Sequence, residues 1–462
     1  MTTQPSGQSL ELRPEASRGV FALIVRRRYS ISTVLVLGAF AIGAVLRMHS
    51  EWTEVYIEAA RSLLHGGDIY TDVHDFTYPP FSAFSMVPFA PLNPFLARGL
   101  WYLCCVISIL YLTTKSWRLS GGPRVEAGKD HPAAPSREQI AFLLGHAVVL
   151  LPFLLNALSH LQTDILIAAL IMAGCGAVAS GRFLVGATWI GVATAFKATP
   201  LLFAPYLIWR RQYLAGIWLF IVAILASLGA DLVHRPPGGG VWIAHWAKLY
   251  VTPMGKSDFM PGDWKNALNN NQAIAGAVRR WMTTSWNEDP NANRPLADRM
   301  SPQIAARIRY MFIAGCALMT LIPLAAVQWR RYGCLIPLRK SLRPKDADSG
   351  SNLPSLAVLE MGLICSLMLL LSPNSSRAHF CLLYLPAFSI ARWAVHRKDF
   401  AVRAFLALAV LSSMLSTRPR LPGSSHFEQA LLYLGVSMFA AVFLVFAATA
   451  AVLNPGAKSL DH

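Results

Sequence analysis

The residues able to do chemistry gather in three groups. Six of the chain's 24 acidic residues fall between positions 51 and 75: Glu51, Glu54, Glu58, Asp68, Asp72 and Asp75. Glu51, Glu54, Glu58, Arg61 and His65 follow one another at spacings of three and four, so they share one face of a helix. Tyr56, Ile57, Ala60, Leu63 and Leu64 take the other side. The pattern predicts an amphipathic helix lying at a membrane interface. Its polar face has two readings. It is either simply solvated, or it supplies one carboxylate, Glu51 or Glu54, as a general base, since an apolar setting raises a carboxylate's pKa toward the working range.

The second group is cationic: Arg47, Lys197, Arg377 and His379 stand at the ends of apolar runs. Such side chains either snorkel to the interface or converge on a phosphate or diphosphate. The third group is amide-rich. Asn269, Asn270, Asn271 and Gln272 precede Arg279 and Arg280, and suit either sugar hydroxyls or a capped loop-to-helix junction. Asn156, His160, Gln162 and Asp164 form a further polar knot between two apolar runs. Neither a Gly-rich phosphate loop, a zinc spacing nor a Ser/His/Asp signature is present, so the expectation is no metal and no cofactor.

The elements that must position these groups are membrane helices. The chain has 462 residues, 54% hydrophobic and only 14% charged, where a soluble protein would carry nearer a quarter charged. Apolar runs near 30–47, 96–114, 139–158, 163–180, 213–233, 309–328, 354–372, 379–394, 402–417 and 429–452 approach the ~20 residues that cross a bilayer. Segment 183–209 has Arg182 before it, Arg210 and Arg211 after it, and Lys197-Ala-Thr-Pro200 inside it. It reads as a hairpin of two short helices turning at Lys197 to Pro200. The positive-inside rule then holds throughout, with both termini, 1–28 and 453–462, on the cytoplasmic side of a single unit spanning 29–452. Long outer loops cover 48–95 and 234–308. The net charge of +17 reflects basic cytoplasmic loops and anionic lipid head groups, not nucleic acid. The seven cysteines, mostly inside apolar runs, describe no disulfide framework.

Several motifs carry a resemblance: Tyr56-Ile-Glu-Ala-Ala-Arg-Ser-Leu-Leu-His-Gly-Gly-Asp-Ile-Tyr70, Phe76-Thr-Tyr-Pro-Pro-Phe81, Leu158-Ser-His-Leu-Gln-Thr-Asp164, Phe196-Lys-Ala-Thr-Pro-Leu-Leu202, Asn271-Gln272, and Leu371-Ser-Pro373 with His379. In this order, from about Tyr29 to Trp393, the chain resembles the integral membrane glycosyltransferases of family 87, polyprenyl-phosphate-mannose-dependent enzymes of the GT-C type. The resemblance implies an all-α polytopic fold with about 11–12 membrane helices. It implies sugar transfer from a polyprenyl-phosphate donor to a glycan or glycolipid acceptor, at the outer face of the bacterial inner membrane. In that family an acidic residue just after the first membrane helix, usually an aspartate, acts as the base. Here Glu51 and Glu54 are the nearby carboxylates, with Glu51 closer to the membrane end. Lys197, Arg377 and His379 would hold the phosphate, and Asn271, Gln272, Tyr78 and Gln162 are the other candidate substrate contacts. The alternative reading is a transporter or flippase for a lipid-linked or anionic substrate, whose ionisable groups would sit near the bilayer midplane and whose halves would repeat. A non-catalytic membrane scaffold is the third.

Overall fold

The computed structural model describes residues 50–123, 137–255, 270–283, 301–333, 353–417 and 425–454, together with Gly43. The predicted helix 30–47, with Arg47, and the tail 1–28 lie outside the described residues. A wide π turn, Trp52–Ile57, runs on into Glu58–Leu64, and the two together form α1. In chain order there follow α2 (Phe81–Met86), α3 (Pro94–Leu119), α4 (Arg137–Ser159), α5 (Asp164–Ala179), α6 (Phe183–Phe196), α7 (Thr199–Trp209) and α8 (Tyr213–Leu232). After them come the broken helix α9 (242–255), α10 (Ile274–Thr283), α11 (Pro302–Tyr332), α12 (Leu356–Leu370), α13 (Arg377–His396), α14 (Phe400–Leu415), α15 (Ser425–Leu434) and α16 (Val436–Leu453).

The protein is all-α and multi-pass. Among the described residues six helices, α3, α4, α8, α11, α13 and α16, are long and apolar enough to cross a bilayer. The apolar helices α5, α6, α7, α12 and α14 are shorter. Close packing between them rests on small residues, as is usual where lipid removes the hydrophobic drive for association. A Cβ on Gly174 of α5 would meet Ile190 of α6 at 2.4 Å, and one on Gly191 of α6 would meet the Leu219 carbonyl of α8 at 2.8 Å.

The hairpin expected over 183–209 is present. Lys197, at the end of α6, meets Asp164 at the start of α5, while Arg210, at the end of α7, meets Glu360 near the start of α12. The chain therefore travels the length of the bundle along α6 and returns along α7. Lys197 itself is extended (φ −152°, ψ 126°), and Pro200 sits in the 3-10 turn that opens α7. The ends of the bundle differ. Glu51, Asp164, Lys197 and His379 share one end, around a cavity. Glu360 with Arg210 and Arg331, and Glu138 with Arg392, lie at the other.

The expected amphipathic helix is α1, with Trp52, Val55, Tyr56, Ile57, Ala59, Ala60 and Leu63 buried and Glu54 and Glu58 exposed. Above it, α9 lies across the 68–80 stretch. Trp246 donates to the Thr77 carbonyl at 3.0 Å and Tyr250 to the Phe76 carbonyl at 3.1 Å.

Candidate active site

A cavity of about 1120 Å³ opens between α1, the α6–α7 turn, α8, α9 and the turn 372–376. Glu51, Tyr78, His160, Lys197, Ser376 and His379 make its polar end, whereas Phe220, Ala223 and Ile224 of α8 and Met368 of α12 make an apolar wall.

Glu51 precedes the π turn, and this wide turn carries it off the solvated line of Glu54 and Glu58 and into the cavity. Its carboxylate accepts from Gln162 Nε2 and from the Tyr78 hydroxyl at 3.3 Å. Burial first, and repulsion from Asp164 second, raise its pKa above the ordinary glutamate value, while Lys197 and the two donors pull it back. Glu54, the other carboxylate considered as base, is exposed and stands at the cavity's rim.

Gln162 is aimed by the end of α4. The Leu161 N–H bonds the Leu158 carbonyl and the Gln162 N–H bonds the Ala157 carbonyl at 2.9 Å, the paired closure of a Schellman cap. Leu161 takes the left-handed position (φ 55°) that glycine usually fills, and its side chain is fully buried. The next helix then begins at Thr163 and Asp164.

Tyr78 links Glu51 and Lys197. Its ring stacks on Tyr56 with centroids 4.8 Å apart, and Lys197 Nζ lies 5.6 Å from its centroid. Burial pushes both phenols well up, so each remains a hydrogen-bond donor. Lys197 Nζ donates to Asp164 Oδ1 at 2.8 Å, and His379 Nε2 stands 3.6 Å from Asp164 Oδ2. The Ser376 N–H donates to His379 Nδ1 at 3.0 Å, which places the ring proton on Nε2, facing Asp164. Asp164, wholly buried, thus holds Lys197 and the His379 ring at the cavity's edge.

The remaining candidates are placed differently. Arg377 is not among the residues lining the cavity, and its guanidinium donates to the Ser416 carbonyl at 3.1 Å, at the end of α14. Asn271 also stands off the cavity. Its amide donates to the Pro373 carbonyl at 2.8 Å and accepts from the Ser375 N–H at 3.2 Å. Gln272 donates from its backbone to Ser375 and from its amide to the Leu432 carbonyl at 3.1 Å. The two amides brace the turn that carries Ser376 and His379, and Asn270 is the neighbour that reaches the cavity. Asn271, Gln272 and Arg377, expected as substrate contacts, thus stand off the lining of the cavity and donate to backbone carbonyls of the fold. Asp164 was visible in the sequence only as one member of a polar knot. A carboxylate opening a strongly apolar helix is the signal that marks it. Among the described residues no three His, Cys, Asp or Glu side chains are arranged to hold a metal ion.

The model of glycosyltransferase family 87 matches residues 76–339, more than half of the chain. This chain belongs to glycosyltransferase family 87. The match runs from the Tyr78 motif through Gln162, Asp164, Lys197 and the amide pair, and stops before His379. Two relatives are similar over parts of their lengths. One is the polyprenol-phosphate-mannose-dependent alpha-(1-2)-phosphatidylinositol pentamannoside mannosyltransferase of Mycobacterium tuberculosis (strain CDC 1551 / Oshkosh), 32% identical over 191 residues, 39% of this chain and 40% of the relative. The other is the polyprenol-phosphate-mannose-dependent alpha-(1-2)-phosphatidylinositol mannoside mannosyltransferase of Mycolicibacterium smegmatis (strain ATCC 700084 / mc(2)155), 25% identical over 294 residues, 61% of this chain and 62% of the relative. The matched regions thus span less than two thirds of either relative.

Proposed function

We propose that this chain transfers a sugar, mannose by analogy with the relatives, from a polyprenyl-phosphate donor to a hydroxyl of a glycan or glycolipid acceptor. The observation that carries the reading is the cavity itself. One half-buried carboxylate, Glu51, faces Lys197 and His379 across a space whose other wall is apolar. A lipid-phosphate sugar has the same division, with a charged head and a hydrocarbon tail.

The acceptor hydroxyl gives its proton to Glu51 as its oxygen bonds to the sugar's anomeric carbon. The bond from that carbon to the phosphate oxygen breaks, and its electron pair leaves with the polyprenyl phosphate. Lys197 stabilises the charge that develops there, and Asp164, which His379 Nε2 faces from the other side, keeps the ammonium in place. Gln162 and Tyr78 fix the direction of the carboxylate. The tail lies along Phe220, Ala223 and Ile224, and α8 beyond them is exposed at Ile217, Ile221 and Leu225, toward lipid.

The reading includes an orientation. Arg182, Arg210, Arg211, Arg330 and Arg331 stand at the bundle end away from the cavity, which by the positive-inside rule is cytoplasmic. The cavity then faces the outer side of the cell membrane, within one unit spanning 29–452. Family membership and the gathering of polar groups at one end favour this reading over a transporter.

The test is a transfer assay on purified protein in detergent, with radiolabelled polyprenyl-phosphate mannose and a panel of acceptors that includes phosphatidylinositol mannosides. Transfer is expected, with a loss of about 10²–10⁴-fold in Glu51→Gln. Full activity in that variant, or a donor left intact with every acceptor while it is flipped in sealed vesicles, overturns the reading.

A further inference from the structure

A second cleft, of about 390 Å³, lies on the water-facing side of α1. Its volume falls in the ~300–1,000 Å³ range of small-ligand sites. Glu54 lines both this cleft and the large cavity, and so stands at the boundary between them. Residues three apart on a helix have Cβ atoms about 5–6 Å apart. The step from the cleft at Glu54 to the base at Glu51 is therefore a single turn.

Donors and acceptors alternate around the cleft. Arg61 Nη1 pairs with Glu58 Oε1 at 2.6 Å, and Ser62 Oγ donates to Asp72 Oδ2 at 3.2 Å. His65 Nδ1 bonds the Arg61 carbonyl at 2.7 Å, which fixes the ring and leaves Nε2 as its other polar atom. Carboxylates and planar cations side by side suit the vicinal hydroxyls of a sugar, each of which donates and accepts. The backbone shapes this floor. Gly66 is left-handed (φ 73°), and a Cβ on Gly67 would lie 2.4 Å from Asp72 Oδ2 and 2.6 Å from Ser62 Oγ. The pair of glycines lets the chain pass directly beneath these side chains.

We propose that this cleft, lined by Glu54, Glu58, Arg61, His65, Asp72 and His74, binds the glycan of the acceptor. The proposal rests on the glycosyltransferase reading and names one substrate class of it: a neutral, hydroxyl-rich chain that approaches from water, opposite the side from which the lipid donor enters. The charge balance excludes a phosphate as the main ligand, because three carboxylates face one guanidinium and two imidazoles. Val73 is the one apolar side chain among the lining residues, which gives a lipid tail little to pack on. Donor and acceptor thus reach the anomeric centre from different phases, and Glu54 marks where the two routes meet.

Two binding titrations on the purified full-length protein in detergent test this. Linear mannotriose is followed by ligand-observed NMR, and polyprenyl phosphate by tryptophan fluorescence. The double substitution Glu58→Ala with His65→Ala is expected to weaken mannotriose binding at least 10-fold while polyprenyl-phosphate affinity changes less than twofold. Lys197→Ala is expected to do the reverse. Retained lipid-phosphate binding shows that the cleft variant is folded. Equal mannotriose affinity in the cleft variant and the parent overturns the proposal, and so does a parent that binds the lipid phosphate but no mannotriose. A parent that binds neither overturns the transferase reading as well.

Discussion

On the proposed mechanism Glu51 sets how the rate responds to pH, and its burial couples the same group to stability. A base works only when deprotonated, so the rate should climb with pH through Glu51's pKa. That pKa is raised by burial and by Asp164, so the acidic limb should lie above the ~4.3 of a free glutamate. Tyr78→Phe removes one donor that favours the carboxylate. It should move the limb further up and lower the plateau about 3- to 10-fold, as suits one neutral hydrogen bond, and a pH–rate profile reads both. The same shift has a thermodynamic face. The folded pKa exceeds the unfolded one, so the stability that the group contributes is full below the unfolded pKa and is lost as pH rises through the folded value. Glu51→Gln escapes that loss, and its Tm should gain on the parent's as pH rises above the ordinary glutamate range. The sequence made Glu51 legible as a candidate through its place beside the first apolar run. It did not separate Glu51 from Glu54, because the spacing of three put both on one α-helical face and the π turn that parts them leaves no mark in composition.

Lys197 depends on how α6 ends. The Ser82 hydroxyl of α2, fully buried, donates to the Phe196 carbonyl at 2.6 Å and so closes the last turn of α6 from another element. Ser82→Ala should cost about 1 kcal/mol in stability and weaken the donor lipid's KM more than kcat, since it loosens the placement of Lys197 without touching the cavity. Thermal unfolding with steady-state kinetics separates the two effects. At this scale the sequence was informative where signals were local. Arg182, Arg210–Arg211 and Pro200 sufficed to place the α6–α7 hairpin. It was less informative where a polar side chain satisfies a distant backbone. Nothing near Asn271 reveals that Pro373 and Ser375 are its partners, so an amide that braces a turn looked the same as one that reads a sugar.

Across the whole molecule the two ends divide the work. Away from the cavity, Glu360 receives Arg210 at 2.5 Å, Arg331, and the Tyr206 hydroxyl at 3.1 Å, which ties α7, α11 and α12 together. Removing the carboxylate strands two buried or half-buried guanidinium groups, so Glu360→Gln should destabilise the fold by about 3–5 kcal/mol. Protein that survives purification should keep its specific activity, because this clamp lies remote from Glu51 and Lys197. Melting midpoints and transfer rates measured on the same preparation check this. Residue types and hydropathy made the multi-pass architecture legible, since the bilayer imposes length and polarity on each helix. The partners of Glu360 were not legible, because they come together only when three separate helices pack.

The shortness of α6 has a further consequence for the donor lipid. Fourteen residues rise about 21 Å, against a hydrocarbon layer of about 30 Å. The last turn of α6, Ala193 to Phe196, is buried by the bundle, so the rest of that distance is filled by protein and by the cavity and not by lipid. On the proposed orientation Lys197 then stands below the outer surface of the hydrocarbon layer, at the polar end of the cavity. A donor bound as proposed would have to sink its phosphate below the level of its neighbours' head groups to reach the site.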